Sequence, residues 1–70
     1  MKADSAKAFG TLLRQQRRQR GLSQDAVANA IGVNRRVIGE LEGGKRTVQL
    51  QIAVEAARAV GLDLHLVPRR

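Results

Sequence analysis

The chain has no cysteine, a single histidine and 6 acidic residues against 13 basic ones, and no apolar run in it approaches a bilayer's thickness. Each shortage removes a class of protein. Without cysteine there are no disulfides to brace a small fold, and their lack fits a reducing cytoplasm. His65 cannot build a zinc site alone, so neither metal nor cofactor is expected. A membrane span needs roughly 18 consecutive apolar residues. The opening MKADSAKAFG lacks the apolar core of a secretion signal, so the expected location is the cytoplasm. Ser5 and Ser23 are the only serines, both better explained as helix caps. Nothing forms a nucleophile–base pair, and no enzyme is expected.

The shortage of acids leaves a formal charge of +7, which favours a polyanionic partner, either nucleic acid or an anionic membrane surface. A surface-bound helix would set its basic residues opposite one exposed apolar face. The basic residues here follow no such pattern, which points to nucleic acid. Seventy residues hold one domain with a thin core. A second chain is the expected source of further burial.

Glycines and short polar residues divide the chain. Segment 5–20 reads as a helix capped by Asp4 or Ser5, with Phe9, Leu12 and Leu13 as its apolar face. The run RQQRRQR follows within it, and Gly21 is a left-handed stop. Segment 24–31 is a short helix behind Ser23, with Val27 and Ile31 on one face and Gly32 as its end. Segment 35–42 follows Asn34. Val37, Ile38 and Leu41 point one way, while Arg36, Gly39, Glu40 and Gly43 point the other, with Arg35 at the edge. Segment 49–60 carries only a narrow polar stripe, Gln51, Glu55 and Arg58. So wide an apolar face calls for cover on more than one side.

The tail changes period. Leu62, Leu64 and Leu66 alternate with Asp63 and His65, which is strand spacing over 62–67, and His65 reads as a surface residue. A lone strand leaves its backbone unpaired, so the simplest partner is the same strand of a second copy. The ends, Met1–Ala3 and Arg69–Arg70, are expected to be mobile.

Two charged residues continue apolar stripes. Arg17 lies four positions beyond Leu13, and Glu42 extends the Ile38–Leu41 stripe. Both turn inward, and two opposite charges aimed at one interior should meet. For Arg14, Arg18 and Arg20 the reading is solvated charge.

The two short helices joined through Gly32-Val33-Asn34 resemble the twenty-residue helix-turn-helix motif over residues 24–43, with Ala28 at the small-residue position. The stretch GLSQDAVANAIGVNRRVIGELEGGKR is similar to the Xre, or lambda-repressor-like, family, a resemblance spanning about 9–61. It implies a mainly α fold, a four- or five-helix bundle over about 5–61, binding palindromic operator DNA as a dimer. By that resemblance the helix from Arg35 enters the major groove N-terminal end first, Arg35 and Arg36 read guanine edges, and Gly39 lets the backbone approach. Glu40 either accepts from a cytosine amino group or aims Arg36 through an i, i+4 pair. Gln24, Asn34, Lys45 and Arg46 would hold phosphates. The family has an Arg–Glu pair at the positions of Arg17 and Glu42, which implies a structural role there.

The end VEAARAVGLDLHLVPRR resembles the HipB-type antitoxins, whose C-terminal strands pair across a dimer. That likeness implies a dimerisation role for Leu62, Leu64 and Leu66, repression of the chain's own operon and a HipA-like kinase toxin as partner. A free-standing or phage-type repressor without a toxin is the alternative.

Overall fold

Three of the four helices begin at a side chain that replaces a missing backbone acceptor. Ser5 Oγ accepts from the N–H of Ala8 at 3.0 Å, Ser23 Oγ from that of Ala26 at 3.0 Å, and Asn34 Oδ1 from that of Arg36 at 2.8 Å. The computed structural model describes residues 4–68 and places the helices α1 (Ala6–Gln19), α2 (Gln24–Ile31), α3 (Arg35–Glu42) and α4 (Leu50–Ala59). The expected mobility of Met1–Ala3 and Arg69–Arg70 lies outside the described residues.

The joint between α2 and α3 is made at Gly32, whose φ of 73° lies in the left-handed region. The N–H groups of Gly32 and Val33 both donate to the carbonyl of Ala28, closing α2 and redirecting the chain within three residues. Helix α2 packs on both α3 and α4, and α1 packs on α3. The shared core is Leu13, Val27, Ala28, Ile38, Leu41, Ala56 and Val60, with Phe9, Leu22, Ile31, Val33, Ile52 and Leu62 closing its margins. Each large member buried from water contributes about 1.5–3 kcal/mol. Ala28 is 1% exposed, with no room for a longer side chain where α2 lies against its neighbours.

A glycine inside α1 sets how closely that helix approaches α3. A Cβ on Gly10 would run into the carbonyl oxygen of Leu41 and come within 2.7 Å of that of Glu42. The α1 backbone therefore presses directly on the last turn of α3. The periodicity of α1 marks its apolar face but says nothing of this contact, because the obstacle is backbone from another helix.

The tail differs from its expected form. Among the described residues there is no strand, and positions 62–68 carry no regular secondary structure. The N–H of Leu62 donates to the carbonyl of Ala57 at 2.8 Å and the side chain packs on the core of its own chain. Beyond it the chain stands free: Leu64 is 42%, Leu66 99% and Val67 82% exposed. A single chain offers those backbone groups no partner, so alternation alone cannot produce a paired strand within it. Helix α4 has a similar surplus, with Leu50 75% exposed.

Gly10→Ala should lower the melting temperature sharply, because the added methyl meets backbone that cannot rotate away. Overpacking of this kind costs about 1–3 kcal/mol, and each kcal/mol lowers Tm by roughly 4–8 °C in a domain of this size. Thermal unfolding followed by circular dichroism reads the shift. An unchanged Tm would show that α1 and α3 have room to separate.

Candidate nucleic-acid interface

The start of α2 and the outward face of α3 meet in one open concavity, lined by Gln24, Asn34, Arg35, Arg36, Gly39 and Glu40. The helix-turn-helix joint is what brings Gln24 beside residues ten and more positions away. Arg35 and Arg36 are exposed, and among the described residues neither makes a side-chain hydrogen bond or ion pair. Two guanidinium groups thus stand at the N-terminal end of α3 with all their donors free for an external acceptor.

Gly39 sits in the middle of α3 with nothing crowding it. A Cβ there would be 3.9 Å from the Gln24 amide nitrogen, an ordinary contact. The fold has no need of glycine at this position, yet glycine in a helix interior costs up to about 1 kcal/mol relative to alanine. Gly10 and Gly39 are therefore opposites. The first is required by packing, and the second leaves a gap that only something outside the chain would fill.

Beneath this surface lies a bidentate ion pair. Arg17 Nε donates to Glu42 Oε2 at 2.6 Å and Nη2 to Glu42 Oε1 at 3.0 Å, with side chains only 10% and 4% exposed. Arg17 Nη1 donates to the carbonyl of Leu22 at 2.8 Å, so all three guanidinium nitrogens are used. The same Glu42 Oε1 accepts from Gln24 Nε2 at 3.1 Å. One carboxylate thus joins α1, the start of α2 and the end of α3, and holds the Gln24 amide toward the concavity. Burial by itself would raise the Glu42 pKa. The hydrogen bonds from Arg17 and Gln24 and the positive charges of Arg17 and Arg14 outweigh it, and the carboxyl stays below its ordinary value. The hydrogen bond from Arg17 to Glu42 likewise raises the Arg17 pKa against the opposing effect of burial.

Glu40 requires a correction. An i, i+4 pair with Arg36 was one reading of its place on α3, but the pair is not formed. Glu40 Oε2 instead accepts from Lys45 Nζ at 3.2 Å. The loop after α3 causes this: the backbone N–H of Lys45 donates to the carbonyl of Glu40 at 3.0 Å, setting the lysine stem alongside the glutamate. Of the residues expected to hold phosphates, Gln24 and Asn34 line the concavity, and the Asn34 Oδ1 is committed to capping α3. Lys45 stands at its edge through Glu40, while Arg46 is exposed in the loop and does not line it.

Glu42 gives the fold an acid-sensitive element. Its folded pKa lies below the unfolded value of roughly 4.3. The stabilisation is therefore complete above that pH and fades as pH falls through the lowered folded value. Breaking a buried pair costs about 3–5 kcal/mol, a large share of the roughly 4–10 kcal/mol available to a domain of this length. Glu42→Gln should melt well below the unsubstituted chain at pH 7, and the gap should close as the pH drops below about 4. A gap constant from pH 7 to pH 2 would show that the ion pair contributes nothing.

Comparison with known proteins agrees with this architecture. A family model described as "Helix-turn-helix domain" matches residues 8–69. An uncharacterised HTH-type transcriptional regulator of Methanothermobacter thermautotrophicus is 41% identical over 53 residues, covering 76% of this chain and 77% of that protein. The uncharacterised HTH-type transcriptional regulator y4mF of Sinorhizobium fredii is 33% identical over 59 residues, covering 84% and 78%. Among solved structures, a HipB variant in its O2 20mer complex superposes with a TM-score of 0.89 at 20% identity, over 100% of this chain and 97% of that one. HipB in its O4 20mer complex gives 0.88 at 20% identity, over 100% and 99%. At that identity the HipB likeness is one of fold. With the family model spanning nearly the whole length, the chain belongs to the helix-turn-helix domain family of DNA-binding transcriptional regulators.

Proposed function

We propose that this chain is a dimeric, sequence-specific repressor in which α3 reads the major groove of operator DNA. The observation that carries the reading is the pair of uncommitted arginines, Arg35 and Arg36, at the N-terminal end of α3, beside a glycine the fold does not require. Arginine can grip the O6/N7 edge of guanine with two hydrogen bonds. The vacancy at Gly39 admits the DNA surface to the α3 backbone. Gln24 and Asn34 then hold phosphate at the helix starts, and Lys45 and Arg46 do so from the loop.

Binding to a duplex selected from a randomised pool tests this. Affinity should fall by roughly 10³-fold between 50 and 200 mM salt if six or more phosphates are neutralised. Gly39→Ala separates fold from function. It should raise Tm, through a gain of up to about 1 kcal/mol in helix propensity, while weakening binding to the selected duplex. Retention of full affinity by this variant would remove the close-approach role of Gly39.

The second part of the proposal is a dimer made by α4 and the tail. Exposed Leu50 on α4 and exposed Leu64, Leu66 and Val67 in the tail are apolar surface without cover in a single chain. Two tails pairing as antiparallel strands about a twofold axis would satisfy their backbones and cover part of that surface. The same axis would set the spacing of the two α3 helices on half-sites about 34 Å apart or a multiple of it. The tail pattern and the HipB-like fold support the role of an antitoxin that represses its own operon and binds a HipA-like kinase toxin. An adjacent kinase gene whose product co-purifies with the chain is the test of that role. Repression with no such partner would make the chain a free-standing regulator. Leu64→Asp, and deletion of 63–70, which spares the core residue Leu62, should leave a folded helix-turn-helix but shift sedimentation at micromolar concentration from dimer to monomer. If both variants sediment as dimers, the interface lies on the helices alone.

A further inference from the structure

We propose that Glu40 and Lys45 form an exchangeable pair that ties one phosphate contact to the identity of one base; this rests on the DNA-binding reading above. Glu40 lines the same concavity as Arg35, Arg36 and Gly39, the surface that would face a polyanion. A carboxylate there is repelled by phosphates and by the acceptor edges of most bases, so it needs a donor. In the free chain that donor is Lys45, at 3.2 Å. The pair is exposed, with side chains 33% accessible on Glu40 and 48% on Lys45, and such pairs separate at little cost. The backbone bond from Lys45 N–H to the Glu40 carbonyl keeps the lysine close when the side chains part.

Against DNA each member has a competing partner. The cytosine N4 amino group is a donor that can replace the ammonium at Glu40, whereas the adenine amino group lies beside an N7 acceptor that repels the carboxylate. The Lys45 ammonium has a phosphate as its alternative acceptor. Where cytosine stands opposite Glu40, the carboxylate moves to the base and Lys45 is released to the backbone. At any other base Glu40 keeps Lys45, and the phosphate contact is not made. The correct base thus gains two interactions and a wrong base gains neither. Glu42 cannot act in this way, because its two oxygens are held inside the fold by Arg17 and Gln24.

The test compares a random-sequence 20-bp duplex with one of equal length selected by the unsubstituted chain from a randomised pool. On the random duplex, Glu40→Gln should steepen the slope of log K against log salt by roughly 0.9 per lysine released. Adding Lys45→Ala to that variant should return the slope to that of the unsubstituted chain. On the selected duplex, the unsubstituted chain and Glu40→Gln should share one slope, since Lys45 is already on phosphate there. Both side chains are exposed, so overlaid melting curves check that the fold is intact. A random-duplex slope unmoved by Glu40→Gln overturns the exchange, while a steep slope for the unsubstituted chain preserves the DNA reading. Equal steepening on both duplexes also overturns it, making Glu40 a simple repulsive charge. A flat salt response of the unsubstituted chain on both duplexes removes the DNA reading and the exchange together.

Discussion

The orientation of α3 depends on one carboxylate. Glu42 takes two hydrogen bonds from Arg17 on α1 and one from Gln24 at the start of α2. Helix α3 is only 8 residues long, too short to be stable alone. Its apolar anchors, Ile38 and Leu41, turn one face to the core and leave the finer rotation about the axis to directional contacts. A bidentate guanidinium–carboxylate pair is directional and fixes that rotation. It is a demanding device, because both charges are taken out of water and every guanidinium nitrogen must find an acceptor. The Leu22 carbonyl supplies the last one. The gain is position as well as stability: the residues opposite Glu42 on α3 are presented at one angle, with Gln24 held beside them.

Two helical glycines show how the fold and the surface share the sequence. At Gly10 the missing side chain is consumed internally, letting α1 lie against the carbonyl end of α3 where Glu42 sits. Close approach there brings the Arg17 side chain, two turns further along α1, within reach of its partner. At Gly39 the missing side chain is consumed by nothing inside the chain. The vacancy there opens only onto the outer face of α3.

How much of this was legible follows from how local each signal is. Helix starts and stops were readable, because Ser5, Ser23, Asn34, Gly21 and Gly32 act on backbone groups within a few residues. The inward course of Arg17 and Glu42 was readable from the helical period, which carries each to the end of an apolar stripe. Gly10 was not readable, since what excludes a Cβ there is the backbone of a segment some thirty positions away. The partner of Glu40 was missed for a related reason: helical spacing favours Arg36, but a turn after Gly43 brings Lys45 back over the last residues of α3. The tail divides at Leu62. Alternation marks 62–67 as one unit, yet Leu62 is drawn into the core of its own chain by the bond that closes α4, while Leu64 and Leu66 are left outside.

The two carboxylates of α3 show how a basic domain tolerates acids next to an open face that carries two unpaired arginines. Both are paired, but at different depths. Glu42 is covered and shared among three donor atoms, so nothing outside can displace them without unfolding the contact between α1 and α3. Glu40 is open and held by one lysine, an exposed pair that separates at little cost. Burial therefore decides what each charge does. The buried one sets geometry and is indifferent to what lies on the surface. The exposed one is free to answer to it. The separation is only two residues along α3, one half-turn of helix, which is enough to turn one carboxylate into the interior and leave the other on the open face.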